Sequence, residues 1–122
     1  MIQAVTSSRY PYLLVHVEIF IQQTIVFEFD IEPKIDTGFD GGLTVPKGVI
    51  PDSIPPFGTT EWQLADETEI KTPAYIARVA IGSLPPVATL VIVLGDEPLL
   101  GRDVIDKFSL HFDHGRQLIV EP

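Results

Sequence analysis

Alternation with a period of two is the feature that most limits what this chain can become. From Leu13 to Ile21, the residues Leu13, Val15, Val17, Ile19 and Ile21 fall on one side, with His16 and Glu18 on the other. From Ile25 to Glu32, the residues Ile25, Phe27, Phe29 and Ile31 alternate with Glu28, Asp30 and Glu32. Successive strand side chains point to opposite faces, so this pattern predicts two half-buried β-strands. Gln22 and Gln23 between the runs predict a hairpin turn.

The rest of the chain extends the same reading. "GLTVP" (42–46) predicts a short strand, and residues 46–58, with four prolines and two glycines, an irregular surface segment. "TEWQL" and "TEIKTPAYIARVAI", joined by "ADE", predict a hairpin over 62–77 with a polar tip at Asp66 and Glu67. Pro73 marks an edge or a bulge in its second arm. The β-branched run "VATLVIVL" (87–94) predicts a central strand buried on both faces. "GRDVIDKF" (101–108) is the one convincing helix, with Val104, Ile105 and Phe108 as its apolar stripe and Asp103 in its first turn. "SLHFD", "HGR" and "QLIVE" predict a closing hairpin. The sum is one mainly β domain spanning residues 1–122.

Composition narrows the function classes. Eight basic residues stand against 17 acidic ones, a formal charge of −9, which argues against nucleic acid as a partner. There is no cysteine, which excludes disulfides and thiolate metal sites. His16, His111 and His114 lie on predicted strands or in a turn and show no metal-ligand spacing, so no metal and no other cofactor is expected. The apolar run from Tyr12 to Ile21 alternates and carries His16 and Glu18, unlike a signal peptide, and no stretch reaches membrane-spanning length. The expectation is a cytoplasmic protein without a membrane partner.

The chemistry concentrates in "KIDTGFDGGLTVP", Lys34–Pro46. Asp-Thr-Gly alone is a common turn, its aspartate accepting backbone hydrogen bonds. Here Ile35 precedes it, a strand pattern follows it, and "PLLGRDVIDKF" comes some 60 residues later. Together Asp36-Thr37-Gly38 and Leu99-Leu100-Gly101 resemble the catalytic loop and the apolar-apolar-Gly strand end of the retroviral-type (retropepsin-like) aspartic proteases. Asp40 and Arg102 match an ion pair that retroviral members often carry. The resemblance covers nearly the whole chain, with the 62–77 hairpin where the family's flap belongs.

The resemblance implies a closed retropepsin-like β-barrel with one short C-terminal helix. It implies an aspartic endopeptidase acting on a peptide or protein substrate, with Asp36 as the catalytic acid. Two carboxylates sharing a proton can serve as general base for water and general acid for the substrate. The chain has one such motif, so the pair requires a homodimer with the site on its two-fold axis. Thr37 offers a hydroxyl to tie the two loops together, and Gly38 lets backbone approach the substrate. Asp40, Arg102 and Gly101 brace the site. Phe39 and the hairpin tip, Ala65, Asp66, Glu67 and Thr68, are the candidate substrate-binding residues, and Trp62 is expected in the core. Lys34, the bulky Phe39 and a hairpin tip without glycine depart from the family pattern. "QLIVE" suits either a dimer interface, as the termini form in viral members, or an internal strand. The rival function is a non-catalytic binding or scaffolding domain that retains the fold.

Overall fold

The computed structural model describes residues 4–122. Its strands are β1 (Val5–Ser7), β2 (Val15–Ile21), β3 (Thr24–Ile31), β4 (Lys34–Ile35), β5 (Leu43–Val45), β6 (Gly58–Gln63), β7 (Glu69–Ala80), β8 (Val87–Val93), β9 (Leu99–Leu100), β10 (Ser109–Asp113) and β11 (Gln117–Glu121). One short helix, α1 (Arg102–Ile105), lies between β9 and β10.

The alternating runs form the predicted antiparallel pair, with Val17 opposite Phe29 and His16 opposite Asp30. Gln22 and Gln23 make the turn with φ of 49° and 69°, the left-handed conformation that tight hairpin turns require. Leu13, Val15, Val17 and Ile19 are buried, and Phe27, Phe29 and Ile31 pack partly against them. β2 continues onto β7, and β7 onto β8. β8 is central as expected: β7 lies on one side and β5, in parallel, on the other. Val87, Thr89 and Val91 are buried on one face, but the other is buried only at Ile92, with Ala88 exposed and Leu90 half-buried, so the expected burial on both faces is only partly met.

The expected closed barrel does not form. The larger sheet is open and runs β3-β2-β7-β8-β5-β9-β4, with β6 added beside β7. Closure requires the two end strands to pair. β3 and β4 instead follow one another along the chain through Glu32 and Pro33, and proline has no N–H to donate. On the edge away from β9, β4 meets the segment before β2, through an isolated bridge from Tyr12 to Lys34.

The smaller sheet has the order β1-β11-β10. Val120 pairs with Val5 on one side and Leu110 on the other. "QLIVE" is therefore an internal strand with both edges occupied by its own chain. Among the described residues, β1 covers Leu118 to Val120 on one edge and β10 covers Gln117 to Glu121 on the other.

The helix is shorter than its sequence pattern. After the α-type bond from Asp106 N–H to the Arg102 carbonyl, the chain tightens, with Lys107 bonded to Val104 and Phe108 to Ile105. Val104 and Ile105 still enter the core. No helix among the described residues is long and apolar enough to cross a membrane.

Candidate active site

The Asp36 loop is built by two short strands lying side by side. β4 and β9 run parallel, with Lys34 opposite Leu99 and Ile35 opposite Leu100. The next rung is the backbone N–H of Asp36, which donates to the Leu100 carbonyl at 3.0 Å. β9 also pairs with β5, Leu43 opposite Leu100, so the two predicted motifs meet in one place. Thr44, buried, accepts the Leu99 N–H on its Oγ1 at 3.0 Å and ties the end of that pairing. Ile35 and Leu100 are buried beneath the loop and anchor it to the core.

Within the loop, Asp36 Oδ1 accepts the Gly38 N–H at 2.9 Å and the Asp36 carbonyl accepts the Phe39 N–H at 3.2 Å. The first bond orients the half-buried carboxylate and the second closes the backbone turn. Thr37, Gly38 and Asp40 are exposed.

The brace differs from the expected ion pair. Arg102 Nε lies 3.2 Å from Asp106 Oδ2, an i,i+4 pair on the helix. Asp40 forms no ion pair among the described residues, although it lines the same depression of about 310 Å³ as Arg102, Asp103, Asp106 and Lys107. The loop is held by backbone instead. The N–H groups of Arg102 and Asp103, unpaired within a helix start, donate to the carbonyls of Phe39 and Gly41 at 2.8 and 3.1 Å. Gly101 N–H donates to the Gly42 carbonyl at 2.7 Å. Thr89 Oγ1 donates to Asp103 Oδ2 at 2.5 Å and fixes the helix start to β8.

Two of the glycines are needed for space. A Cβ on Gly101 would lie 2.2 Å from the Gly41 carbonyl oxygen, and one on Gly42 2.1 Å from Thr89 Oγ1. Their composition, but not this reason for it, was visible in "FDGG" and "LLGR".

The predicted hairpin exists, with β6 and β7 paired from Gly58/Ala74 to Gln63/Glu69. Ala65, Asp66, Glu67 and Thr68 form its exposed tip. Its turn is ordered by Leu64 N–H on the Thr68 carbonyl and Glu67 N–H on the Leu64 carbonyl, at 2.8 and 2.9 Å. The Thr68 N–H on Asp66 Oδ1, at 3.0 Å, holds that carboxylate below its usual range. Glu67 supplies the left-handed residue, with φ of 67°, that the sequence offered no glycine to fill. Contact with the Asp36 loop comes lower down. Trp62 is half-buried, outside the core, with its ring 5.2 Å from that of Phe39. Its alternation with exposed Glu61 and Gln63 was the available signal for an inward-facing side chain.

Lys34 is exposed and forms no ion pair among the described residues. His16, expected to lack ligand-forming neighbours, does stand near carboxylates: donor atoms of His16, Glu18 and Glu28 lie within 4.8 Å of one another. Each already has a charged partner. Arg78 Nη2 sits 2.8 Å from Glu18, and His16 bonds Asp30 at 2.7 Å and Glu28 at 3.2 Å.

No protein-family model matches the sequence, and no curated protein matches it. Among solved structures, the chain is similar to a retropepsin-like aspartic protease from Rickettsia conorii, with a TM-score of 0.55 at 19% sequence identity. The match covers 98% of this chain and 96% of that one. At this identity the likeness speaks for the architecture, and on that ground the chain has the fold of a retropepsin-like aspartic protease.

Proposed function

We propose that the protein is an aspartic endopeptidase that hydrolyses peptide bonds through a water activated by two Asp36 carboxylates, one from each subunit of a homodimer. The observation that carries this reading is the β4–β9 rung. It joins the Asp36 N–H to the Leu100 carbonyl, so the Asp-Thr-Gly loop starts beside the Leu-Leu-Gly strand end, and this supports a retropepsin-like site. Asp36 is the general base in one subunit and, protonated, the general acid in the other. Two carboxylates brought close together cannot both ionise, so they share one proton. Thr37 and Gly38 complete the loop, the hydroxyl tying it to its symmetry mate and the glycine leaving room for substrate backbone. The β6–β7 hairpin lies over the bound peptide. A carboxylate pair shared between subunits puts the Asp36 loop at the two-fold axis, so the dimer contact includes the face that carries this loop.

Asp36→Asn tests the reading with a mixed peptide library. Cleavage is lost while the folded spectrum and dimer size stay as in wild type. Undiminished cleavage by Asp36→Asn contradicts the proposal. A strict monomer at high micromolar concentration, inactive on the library, favours a non-catalytic binding domain.

A further inference from the structure

The Asp36 loop carries a phenylalanine immediately after Gly38, and the structure has made room for it. A Cβ on Gly41 would meet Phe39 Cζ at 2.4 Å and Trp62 Cη2 at 2.8 Å. A Cβ on Gly101 would meet Phe39 Cδ2 at 2.5 Å. Neither glycine has a positive φ, so both backbones suit any residue. What these positions supply is a slot for a ring. Phe39 lies in that slot, and Trp62 closes it from above with the planes inclined at 54°.

Trp62 is itself held. Its Nε1 donates to Thr60 Oγ1 at 2.7 Å, two residues back on the same inward face of β6. Across the ladder Trp62 pairs with Ile70 and Thr60 with Thr72, which is buried. A hydrogen-bonded hairpin therefore rests on the loop through an aromatic contact one residue beyond Gly38. The tip from Leu64 to Thr68 extends past that contact and is exposed.

We infer that Trp62 is a positioning residue: through Phe39 it fixes the β6–β7 hairpin to the Asp36 loop, so that the two move together and the tip moves separately. The kinetic side of this inference rests on the proposed proteolysis; the mechanical side does not. A pre-positioned hairpin lowers the ordering cost when a peptide binds beneath it. Its loss loosens both the hairpin over the substrate and the Gly38 amide that orients Asp36, so it raises KM and lowers kcat together.

The test compares Trp62→Ala, Trp62→Phe, Phe39→Ala and the double alanine variant. Hydrogen exchange is followed at the amides of Gly38 and Phe39, both bonded to Asp36. Trp62→Ala and Phe39→Ala each speed exchange there about tenfold or more, and the double variant goes no further than the single ones. Trp62→Phe keeps an aromatic ring but loses the Nε1 bond to Thr60, and restores exchange to between the Trp62→Ala and wild-type rates. On a peptide substrate, Trp62→Ala lowers kcat/KM by about 10- to 100-fold, through both KM and kcat. Unchanged exchange at Gly38 and Phe39 in Trp62→Ala overturns the inference, as do additive effects of the two alanines. If the wild type cleaves nothing, the proteolysis reading fails and the exchange experiment still decides the coupling.

Discussion

The backbone N–H of Arg102 donates to the Phe39 carbonyl at 2.8 Å, while the guanidinium of Arg102 turns away to Asp106. One residue thus holds the Asp36 loop with its main chain and leaves it with its side chain. The same rung sequence includes Asp36 on Leu100, Gly101 on Gly42 and Asp103 on Gly41. The brace is a ladder of peptide groups, and it depends on the chain path more than on charge.

Arg102→Ala accordingly has little effect on stability. The Arg102–Asp106 pair is more than half exposed on both sides. Such pairs contribute about 0–1 kcal/mol. Urea unfolding of Arg102→Ala and Asp40→Asn gives midpoints near wild type. A loss of several kcal/mol in either variant identifies a charged brace instead.

Gly101→Ala is severe by comparison. The added methyl meets the Gly41 carbonyl oxygen at 2.2 Å and backbone cannot swing aside as a side chain can. Overpacking of this kind costs about 1–3 kcal/mol or more. Denaturant titration measures the loss, and a Gly101→Ala midpoint equal to wild type contradicts the packing described.

His16 titrates above its ordinary value of 6.5, chiefly because of its hydrogen bond to Asp30. The folded-state pKa is raised, so the stabilisation is complete below about 6.5 and is lost as pH rises through the higher folded value. NMR titration of the His16 ring shows a midpoint above 6.5, and Asp30→Asn brings it down. A wild-type midpoint at or below 6.5 rules this out.

Much of this was legible in the sequence because period two dictates which side chains share a face. The β2–β3 and β10–β11 hairpins, the central β8 and the Asp36 loop all follow from local pattern. Closure of the sheet was not legible, since it depends on whether β3 and β4 meet in space. The Asp40–Arg102 pair matched by position, but Asp106, one helical turn on, lies nearer to the guanidinium. The slot for Phe39 involves Gly41, Trp62 and Gly101, three distant stretches whose meeting no local pattern encodes. Likewise "QLIVE" reads the same whether its partner strand is β1 of its own chain or a strand of another.

The central claim is that Asp36 of one subunit works with Asp36 of another. Mixing wild type with Asp36→Asn after dissociation and reassembly, at fixed total protein, tests it most directly. A site shared across the two-fold axis loses activity as the square of the wild-type fraction, so an equal mixture retains about a quarter. A fall in simple proportion, to about half in that mixture, means that each chain acts alone and contradicts the account.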